Sequence, residues 1–199
     1  YRGGLPFEII DYYSRSVPLM SKYDAGLPKI DLHYNNRLKM TDFDIVHVHT
    51  PFIAGSEGVH YARDHKIPLV GTFHSKYYDD FLQLTGSRHI AGLGTDIIVK
   101  FYEQCDEVWA VSESSAKTLK EYGYSGKVEV MPNGMMIREL NLEWMDSAKA
   151  HFGIDDDPCL LFVGQMNWKK NILKILEACS ILKKEGIAFN LIMAGKGPH

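Results

Sequence analysis

Two periods of apolar residues alternate along the chain and predict a repeated order of strands and helices. Short runs rich in β-branched residues end at Thr, Ser or Pro, which predicts strands at residues 42–49, 69–74, 107–111 and 127–131. Apolar residues three or four positions apart predict helices between them, at residues 56–66, around 97–105 and at 112–122. The segment 75–88 shows neither period and is predicted to be irregular. Mostly apolar strands separated by helices are typical of a parallel sheet covered on both faces.

The pattern weakens after Gly134 and restarts near Cys159. Residues 137–157 include a stretch without periodicity, a short helical pattern and an acidic, turn-rich segment, and we interpret them as a linker. The restart predicts a strand, an amphipathic helix and a second strand, at residues 159–164, 171–185 and 189–195. The sequence therefore predicts an α/β protein with two domains, residues 1–136 and 158–199. A single strand–helix–strand unit leaves a sheet edge open, so we expect the second domain to be incomplete and the chain to belong to a longer protein.

Composition and charge narrow the classes of function. Hydrophobic residues make up 45% and charged residues 24% of the 199, which is typical of a globular protein with a real core. The formal charge of −3 gives no basic surplus, so no nucleic-acid partner is expected. No segment approaches the roughly 18 consecutive apolar residues of a spanning helix, and no signal peptide is predicted. Three widely spaced cysteines in apolar segments favour reduced core thiols and a cytoplasmic location.

Polar residues follow each predicted strand, where an open parallel sheet binds its ligands. These residues are His49, Thr50, Thr72, His74, Ser112, Glu113, Asn133, Gly134, the segment 164–171 and the segment 195–198. Thr72 and His74 stand two positions apart and should share one face of the sheet. Ser112 is also a predicted helix N-cap, and Asn133 with Gly134 is a turn signal, so each has a structural explanation as well.

The segment 164–171 has the features of an anion site. Gly164 would allow close approach of backbone to a ligand, Lys169 and Lys170 supply positive charge, and the start of the next helix directs free amides to the same place. This arrangement suits a phosphate or diphosphate, although a turn with two solvated lysines explains the segment equally simply. The spacing matches neither a Walker loop nor the dinucleotide glycine pattern.

His47 and His49 are neighbours on one strand face, but no Cys or carboxylate lies at a recognisable ligand spacing. We therefore predict no metal site, and we interpret His47 as a hydrogen-bonded histidine of the core. His74, at the end of the next strand, could donate to a sugar hydroxyl or to a developing charge.

The order of these motifs resembles the retaining glycosyltransferases of family 4. The matching segments are His47-Val48-His49-Thr50-Pro51, Gly71-Thr72-Phe73-His74, Val111-Ser112-Glu113, Pro132-Asn133-Gly134, Phe162-Val163-Gly164 with Lys170-Asn171, and Ala194-Gly195-Lys196-Gly197-Pro198. The resemblance covers about residues 40–199 and implies a GT-B fold, in which two Rossmann-like domains face each other. It also implies a nucleotide-sugar donor bound mainly by the second domain, an acceptor bound mainly by the first, and neither metal nor other cofactor.

By position, the resemblance gives roles to particular residues. Lys170 matches the lysine that contacts the donor diphosphate and His74 the histidine near the transferred sugar, so these two are the candidate catalytic residues. The donor side also includes Gly164, Gln165, Asn171, Gly195, Gly197 and Asn133, and the acceptor side includes His49, Thr50, Thr72 and Glu113. Phe52, Tyr77 and Tyr78 are either further acceptor contacts or packing aromatics.

The sequence departs from the family pattern in three places. Gln165 stands where the family usually has an arginine, so donor phosphate binding would depend more on Lys170. The glycine-rich loop after the first strand is absent, since Gly3-Gly4 does not replace it, and so is the pair of glutamates seven residues apart in the second domain. Both absences predict that the two domains are incomplete and that these 199 residues alone are inactive.

We therefore expect sugar transfer from a nucleotide sugar to a lipid or cell-envelope glycan, with peripheral association at the inner membrane face. Two alternatives stay open. One is a module that binds a nucleotide sugar or sugar phosphate without turnover, which Gln165 favours. The other is a nucleotide-sugar epimerase on the same fold.

Overall fold

The computed structural model describes residues 6–16, 24–137, 139, 141–154 and 156–197. The chain divides into two compact units, Tyr1–Met135 and Met136–His199. Pro198, the last residue of the matched motifs, lies outside the described residues, and so does the Gly3-Gly4 pair.

The first unit begins with a short hairpin and a capped helix. Strands β1 (Ser14–Ser16) and β2 (Asp24–Gly26) pair antiparallel, and a 3-10 turn at Pro28–Ile30 leads to helix α1 (Leu32–Lys39). The Asp31 carboxylate caps α1 by accepting from Tyr34 N at 3.0 Å, and it also accepts from Tyr13 N at 2.8 Å. These two bonds tie the hairpin to the helix.

A four-stranded parallel sheet forms the centre of the first unit. Its strands are β3 (Val46–Val48), β4 (Leu69–Phe73), β5 (Glu107–Ala110) and β6 (Glu129–Val130), in that spatial order. The connecting helices are α2 (Ile53–His65), α3 (Tyr77–Thr85), α4 (Arg88–Tyr102) and α5 (Glu113–Glu121). The repeated strand–helix–strand order with parallel pairing confirms the predicted architecture.

The core lies on one face of this sheet. Successive strand residues point to opposite faces, so Val48, Phe73 and Val108 share the face that α2, α4 and α5 cover. Phe73, Tyr102, Ile98 and Leu119 are the largest fully buried side chains. The opposite face carries His47, Thr72 and Trp109, so helical cover of the sheet is confirmed for one face only.

Several sequence predictions need correction. Residues 75–88, predicted to be irregular, contain helix α3. Strands predicted over 42–49 and 127–131 pair only at Val46–Val48 and Glu129–Val130. The cysteines are free, but only Cys179 is buried, whereas Cys105 is half-buried and Cys159 is exposed, so the prediction of three core thiols is wrong.

The second unit is a small parallel strand–helix–strand arrangement. It contains α6 (Leu142–Phe152), β7 (Cys159–Val163), a 3-10 turn at Trp168–Lys170, α7 (Ile172–Lys184) and β8 (Asn190–Ala194). Strands β7 and β8 pair in register over all five residues, from Cys159 with Asn190 to Val163 with Ala194. Helix α6 lies within the segment 137–157 that we interpreted as a linker.

Candidate functional site

Three histidines of the first unit form a contiguous group, here called the imidazole cluster (His47, His49 and His74). The His47 and His49 rings lie 4.1 Å apart between centroids, and the His49 and His74 rings 5.2 Å apart. His49 Nδ1 and His74 Nε2 are 2.9 Å apart, which is a hydrogen bond. The cluster stands where β3 and β4 end, because parallel strands bring their carboxyl ends to the same edge.

Thr72 and Trp109 both contact His47 and so support the imidazole cluster. The Thr72 hydroxyl lies 2.7 Å from His47 Nε2, and its side chain is buried. The Tyr102 hydroxyl donates a buried hydrogen bond to the Thr72 carbonyl at 3.0 Å, which fixes β4 against α4. The Trp109 ring packs edge-on against His47 at 5.0 Å, and its Nε1 donates to Glu107 at 3.0 Å. His47 is hydrogen-bonded, as predicted, but it is exposed, so its interpretation as a core histidine is wrong.

Desolvation and the neighbouring rings lower the pKa values of His47 and His74. Although much of the His47 side chain is exposed, partial desolvation of its ring by the surrounding residues lowers its pKa, and its neighbours His49 and His74 lower it further. Burial likewise lowers the pKa of His74, with His49 adding to the effect. Because the ordinary value is about 6.5, both rings are neutral imidazoles at pH 7 and can each donate one hydrogen bond and accept another.

The loop after β3 is held by close packing. Its Thr50 carbonyl lies against Gly55 of α2, where a Cβ would collide with it. Two residues further on, the Phe52 ring packs edge-on against Tyr77 at 5.7 Å. Thr50 and His49 therefore sit on a loop with a fixed path next to the imidazole cluster.

Two concave surfaces lie beside α2 and share Glu57. A cavity of about 210 Å³ is lined by His47 and residues of α1 and α2. A larger, mostly apolar groove of about 560 Å³ is lined by Gly26, Leu27, Pro28, Lys29, Ile30, Phe52, Ile53, Ser56, Glu57 and His60. The second surface is here called the apolar groove.

The remaining candidates of the first unit lie on other segments. Ser112 is the N-cap of α5, and its Oγ accepts from Ser115 N at 3.2 Å, so the predicted cap is confirmed. Glu113 is the exposed first residue of that helix, and Asn133 is exposed in coil after β6. Among the described residues, no hydrogen bond links Glu113 or Asn133 to the imidazole cluster.

In the second unit the loops after β7 and β8 pack backbone against backbone. Gly164 N donates to Ala194 O at 3.0 Å and Met166 N donates to Lys196 O at 3.0 Å, so the ladder continues beyond the strands. A Cβ at Gly195 would collide with the Gly164 carbonyl, and one at Gly197 with the Met166 carbonyl. Gly195 also has φ of 157°, which an L side chain rarely adopts. These glycines therefore have a packing requirement that the sequence did not reveal.

Hydrogen bonds also order the turn that carries Lys170. Asn167 Oδ1 accepts from Lys170 N at 3.3 Å and so caps the 3-10 turn, while Asn167 Nδ2 donates to Gln165 Oε1 at 3.0 Å. Asn171 adopts the left-handed conformation, with φ of 51°, and α7 begins directly after it without a side-chain cap. The Lys170 side chain is exposed, and among the described residues its ammonium has no hydrogen-bond or ion-pair partner.

The sequence did not predict several residues that contact the candidate site. Trp109 reaches His47 across the sheet, and this contact depends on strand register, which local patterns do not specify. Tyr102 acts through a bond between residues 30 positions apart. Asn167 carried a usable signal, because Asn before a helical turn is a preferred cap. Among the described residues, no three or more His, Cys, Asp or Glu side chains are grouped so as to hold a metal ion.

A parallel sheet with a polar cluster at its carboxyl edge, followed by a second strand–helix–strand unit, defines an α/β protein of Rossmann-like type. The family model described as Glycosyltransferase Family 4 matches residues 2–137, which is most of the first unit and more than half of the chain. The chain belongs to this family. The resemblance found from the sequence is thereby confirmed.

Three curated proteins are similar to the chain over part of their length. It is 29% identical over 168 residues to the alpha-monoglucosyldiacylglycerol synthase of Streptococcus pneumoniae, covering 81% of this chain and 38% of that protein. It is 22% identical over 177 residues to the alpha-monoglucosyldiacylglycerol synthase of Acholeplasma laidlawii, covering 83% and 44%. It is 27% identical over 122 residues to a GDP-mannose-dependent alpha-mannosyltransferase of Corynebacterium glutamicum, covering 60% and 28%. The chain thus spans less than half the length of these relatives.

Proposed function

We propose that the complete protein transfers a sugar from a nucleotide-sugar donor to a diacylglycerol-type lipid, with retention of anomeric configuration and without a metal. The observation that carries this proposal is the family match over the unit that holds the imidazole cluster. The lipid acceptor is supported by two relatives whose names describe glucosyldiacylglycerol synthases.

Donor chemistry belongs to the second unit in this proposal. When the sugar leaves a nucleoside diphosphate, negative charge grows on the departing phosphate while the anomeric carbon becomes cationic. The Lys170 ammonium, which has no partner among the described residues, offers positive charge to that phosphate, and the amides at the start of α7, which lack a side-chain cap, offer hydrogen-bond donors. Asn167 preorganises the turn, and Gln165 and Asn171 border it, with the paired glycine loop 195–197 behind it.

Acceptor chemistry belongs to the first unit. His74, as a neutral imidazole, can donate a hydrogen bond to a hydroxyl of the transferred sugar without adding a charge that would oppose the cationic anomeric carbon. His49 and Thr50 lie on the neighbouring loop, and buried Thr72 fixes the ring of His47. The acceptor hydroxyl would attack the anomeric carbon on the face from which the phosphate leaves, and the departing phosphate would take its proton, so neither an enzymatic nucleophile nor an enzymatic base is needed.

The apolar groove suits an acyl chain of the lipid. Its volume of about 560 Å³ falls in the range of small-molecule sites, and its exposed Ile30, Phe52 and Ile53 would lose contact with water on binding. It begins at Phe52, two residues from Thr50, so a chain lying in it would leave the headgroup hydroxyl near the imidazole cluster. Lys29 on the rim could meet an anionic lipid headgroup.

Such an acceptor implies work at a membrane surface. No helix among the described residues combines the length and apolar character needed to span a bilayer. We propose peripheral association at the inner membrane face, from a cytoplasmic location where nucleotide sugars are available.

The test is release of nucleoside diphosphate by the complete protein, given a panel of nucleotide sugars and diacylglycerol vesicles. Lys170→Ala should lower kcat about 10²- to 10³-fold, the scale for one lost donor to a developing anion. His74→Ala should lower it about 10²-fold. Lys183→Ala and His89→Ala, which alter exposed residues of α7 and α4, are matched controls and should keep the parent rate.

Further measurements separate the finer points. Anomeric NMR of the glycolipid should show retention, and a chelator should leave the rate unchanged. Residues 1–199 alone should release no nucleoside diphosphate, and release by them would contradict that expectation. Formation of free epimerised nucleotide sugar would show that the protein is an epimerase and not a transferase.

A non-catalytic module is the second candidate, because one observation favours it. The side chain that replaces the family arginine, Gln165, is uncharged and is engaged by Asn167. Donor binding by calorimetry without turnover on any acceptor would establish this module instead.

A further inference from the structure

His74 lies in a short connection between β4 and α3, here called the His74 loop (residues 74–76). Strand β4 ends at Phe73 and α3 begins at Tyr77. The pairing of β4 with β3 stops at Gly71, whereas its pairing with β5 continues through Phe73. Beyond Gly71 the described strands therefore support β4 on one side only, and the position of the His74 loop depends on what else holds it.

Tyr102, the last residue of α4, holds the strand side of this loop. Its hydroxyl donates a buried hydrogen bond to the Thr72 carbonyl at 3.0 Å, and the direction of this bond is certain because a carbonyl can only accept. The Tyr102 ring is fully buried and packs edge-on against Phe73, with the ring centroids 5.7 Å apart. The bond therefore joins a fixed donor on α4 to a backbone acceptor two residues before His74.

The same hydroxyl also contacts the residue that follows the His74 loop. Burial raises the pKa of Tyr102, and Tyr77 and Cys105 raise it further, Tyr77 also through a hydrogen bond between the two side chains. The Tyr102 hydroxyl is thus protonated at neutral pH. Because its one proton goes to the Thr72 carbonyl, Tyr77 is the donor in the second bond. Tyr102 is therefore linked to residues on both sides of His74, and only residues 73–76 separate its two partners.

We propose that Tyr102 is a positioning residue, whose hydroxyl holds both sides of the His74 loop and so fixes the ring of His74 beside His49. The role rests on the proposed function for its catalytic consequence, because His74 is the residue that contacts the transferred sugar there. The Thr72 hydroxyl lies 2.7 Å from His47 Nε2, so the same support extends to the rest of the imidazole cluster. A misplacement of about 1 Å at a reacting centre can cost roughly 10²-fold in rate, so a buried hydroxyl that never touches substrate can affect catalysis.

The direct test is the position of the His74 ring in Tyr102→Phe, a variant that keeps the buried ring and removes only the hydroxyl. In NMR of the complete protein labelled at histidine, the wild type should show Overhauser effects between the rings of His49 and His74, whose nitrogens are 2.9 Å apart. These effects should weaken in Tyr102→Phe, and the ring signals of His74 should shift. Unchanged effects and signals in this variant overturn the proposal.

Tyr61→Phe is the matched control, because it removes a bond of the same kind elsewhere in the first unit. The Tyr61 hydroxyl donates to the Thr41 carbonyl at 2.6 Å and joins α2 to the segment before β3. This variant should keep the Overhauser effects between His49 and His74, which separates a general loss of stability from a loss of position. Equal weakening in Tyr61→Phe and Tyr102→Phe overturns the proposal.

A second variant keeps the test decisive if Tyr102→Phe does not fold. A Cβ on Gly71 would lie 3.2 Å from a ring carbon of Tyr102 and 2.7 Å from Cys105 Sγ. Gly71→Ala combined with Cys105→Ala removes the contact with sulfur and leaves the one with the ring, so it displaces the Tyr102 hydroxyl without deleting it. This double variant should weaken the same Overhauser effects, and wild-type effects in it contradict the positioning role.

Kinetics then separate this role from the proposed function. Tyr102→Phe should lower kcat for nucleoside diphosphate release roughly 10- to 100-fold, with little change in the KM for the donor, because the donor segments proposed for the second unit are unchanged. Tyr61→Phe should keep the parent kcat. If the wild type transfers no sugar but the ring contact responds as described, the proposed function fails and the positioning of His74 stands. If transfer occurs and Tyr102→Phe keeps the parent kcat, the positioning role fails alone.

Discussion

Gly71 of β4 shows how tightly single residues are specified beneath the candidate site. A Cβ on this residue would lie 2.7 Å from Cys105 Sγ and 3.2 and 3.3 Å from two ring carbons of Tyr102. The Tyr102 ring is fully buried and its hydroxyl holds the Thr72 carbonyl, so it has little room to move. A side chain at Gly71 would therefore disturb the support of the imidazole cluster.

We predict that Gly71→Ala lowers the free energy of unfolding by about 1–3 kcal/mol, as overpacking of a core does. Gly92→Ala is the matched control, since a Cβ there meets nothing within 4 Å in helix α4, and it should raise stability by about 0.5–1 kcal/mol. Urea denaturation measures both. Adding Cys105→Ala to Gly71→Ala should recover part of the loss, and an undiminished loss would contradict this account of the clash.

At this scale the sequence predicted which residue types matter but not all of their contacts. Strand alternation was enough to place Thr72 and His74 on one face, because side chains two positions apart always share a face. The bond between His49 and His74 depends on how β3 and β4 pair, and no local pattern specifies that register. The packing role of Gly195 and Gly197 was hidden for the same reason, since it depends on a second loop.

Helix α5 is an element whose beginning depends on one side chain. Ser112 Oγ accepts from Ser115 N at 3.2 Å, which satisfies one of the free amides at the helix start. The helix buries Leu119 in the core, so fraying at its first turn would reach the packing against the sheet.

We therefore predict that Ser112→Ala lowers the free energy of unfolding by about 1 kcal/mol, the usual value of an N-cap. Ser114→Ala, on the exposed side of the same first turn, should change it far less. Equal losses in the two variants, measured by urea denaturation, would show that Ser112 does not act as a cap.

Helix α5, which has a cap and a clear period, was predictable over its whole length, whereas α3 was not, and α4 begins at Arg88, well before its predicted start near residue 97. Lys76 precedes α3 without a side-chain cap, and its inward residues Tyr77, Phe81 and Leu82 are spread through a polar stretch. Tertiary packing stabilises this helix, as Tyr77 reaches the core and stacks near Phe81. Strand β3 is shorter than predicted because its neighbour β4 begins only at Leu69, so residues before Val46 have no partner strand.

For the molecule as a whole, the neutral histidines predict a pH dependence of stability. The pKa values of His47 and His74 are lower in the folded protein than the ordinary 6.5, chiefly through burial. Below pH 6.5 these two side chains bind protons more readily in the unfolded chain than in the folded protein. Protonation therefore stabilises the unfolded state relative to the folded state. Above that pH both rings are neutral in the folded and in the unfolded state, so their protonation no longer lowers the free energy of unfolding.

We predict that the free energy of unfolding falls as the pH drops from 6.5 through the lowered pKa values of these two rings. The variant His47→Gln with His74→Gln should flatten this slope, and His89→Gln should preserve it. Urea denaturation between pH 7.5 and about 5 measures the effect, above the range in which ordinary carboxylates titrate. A double variant that keeps the full slope would assign the acid sensitivity to other groups.

Fold class and family were predictable for the whole molecule, because the strand and helix periods and the order of the motifs can be recognised in the sequence without knowledge of contacts. The family match over residues 2–137 covers the unit where these motifs are densest. The sequence predicted helices on both faces of the sheet, and the described residues confirm them on one face only, because apolar strand residues indicate burial without specifying which element buries them.

The continued ladder between the loops 164–167 and 195–197 has a consequence for how such proteins diverge. Main-chain bonds pair these loops, so the pairing itself does not require particular side chains at the exposed positions Gln165 and Lys196. Substitutions there can accumulate while the scaffold stays intact, provided that the glycines between them remain. The main-chain pairing of the loops would accept either an arginine or Gln165, and under the proposed function exchanges at these exposed positions would change donor preference without loss of folding.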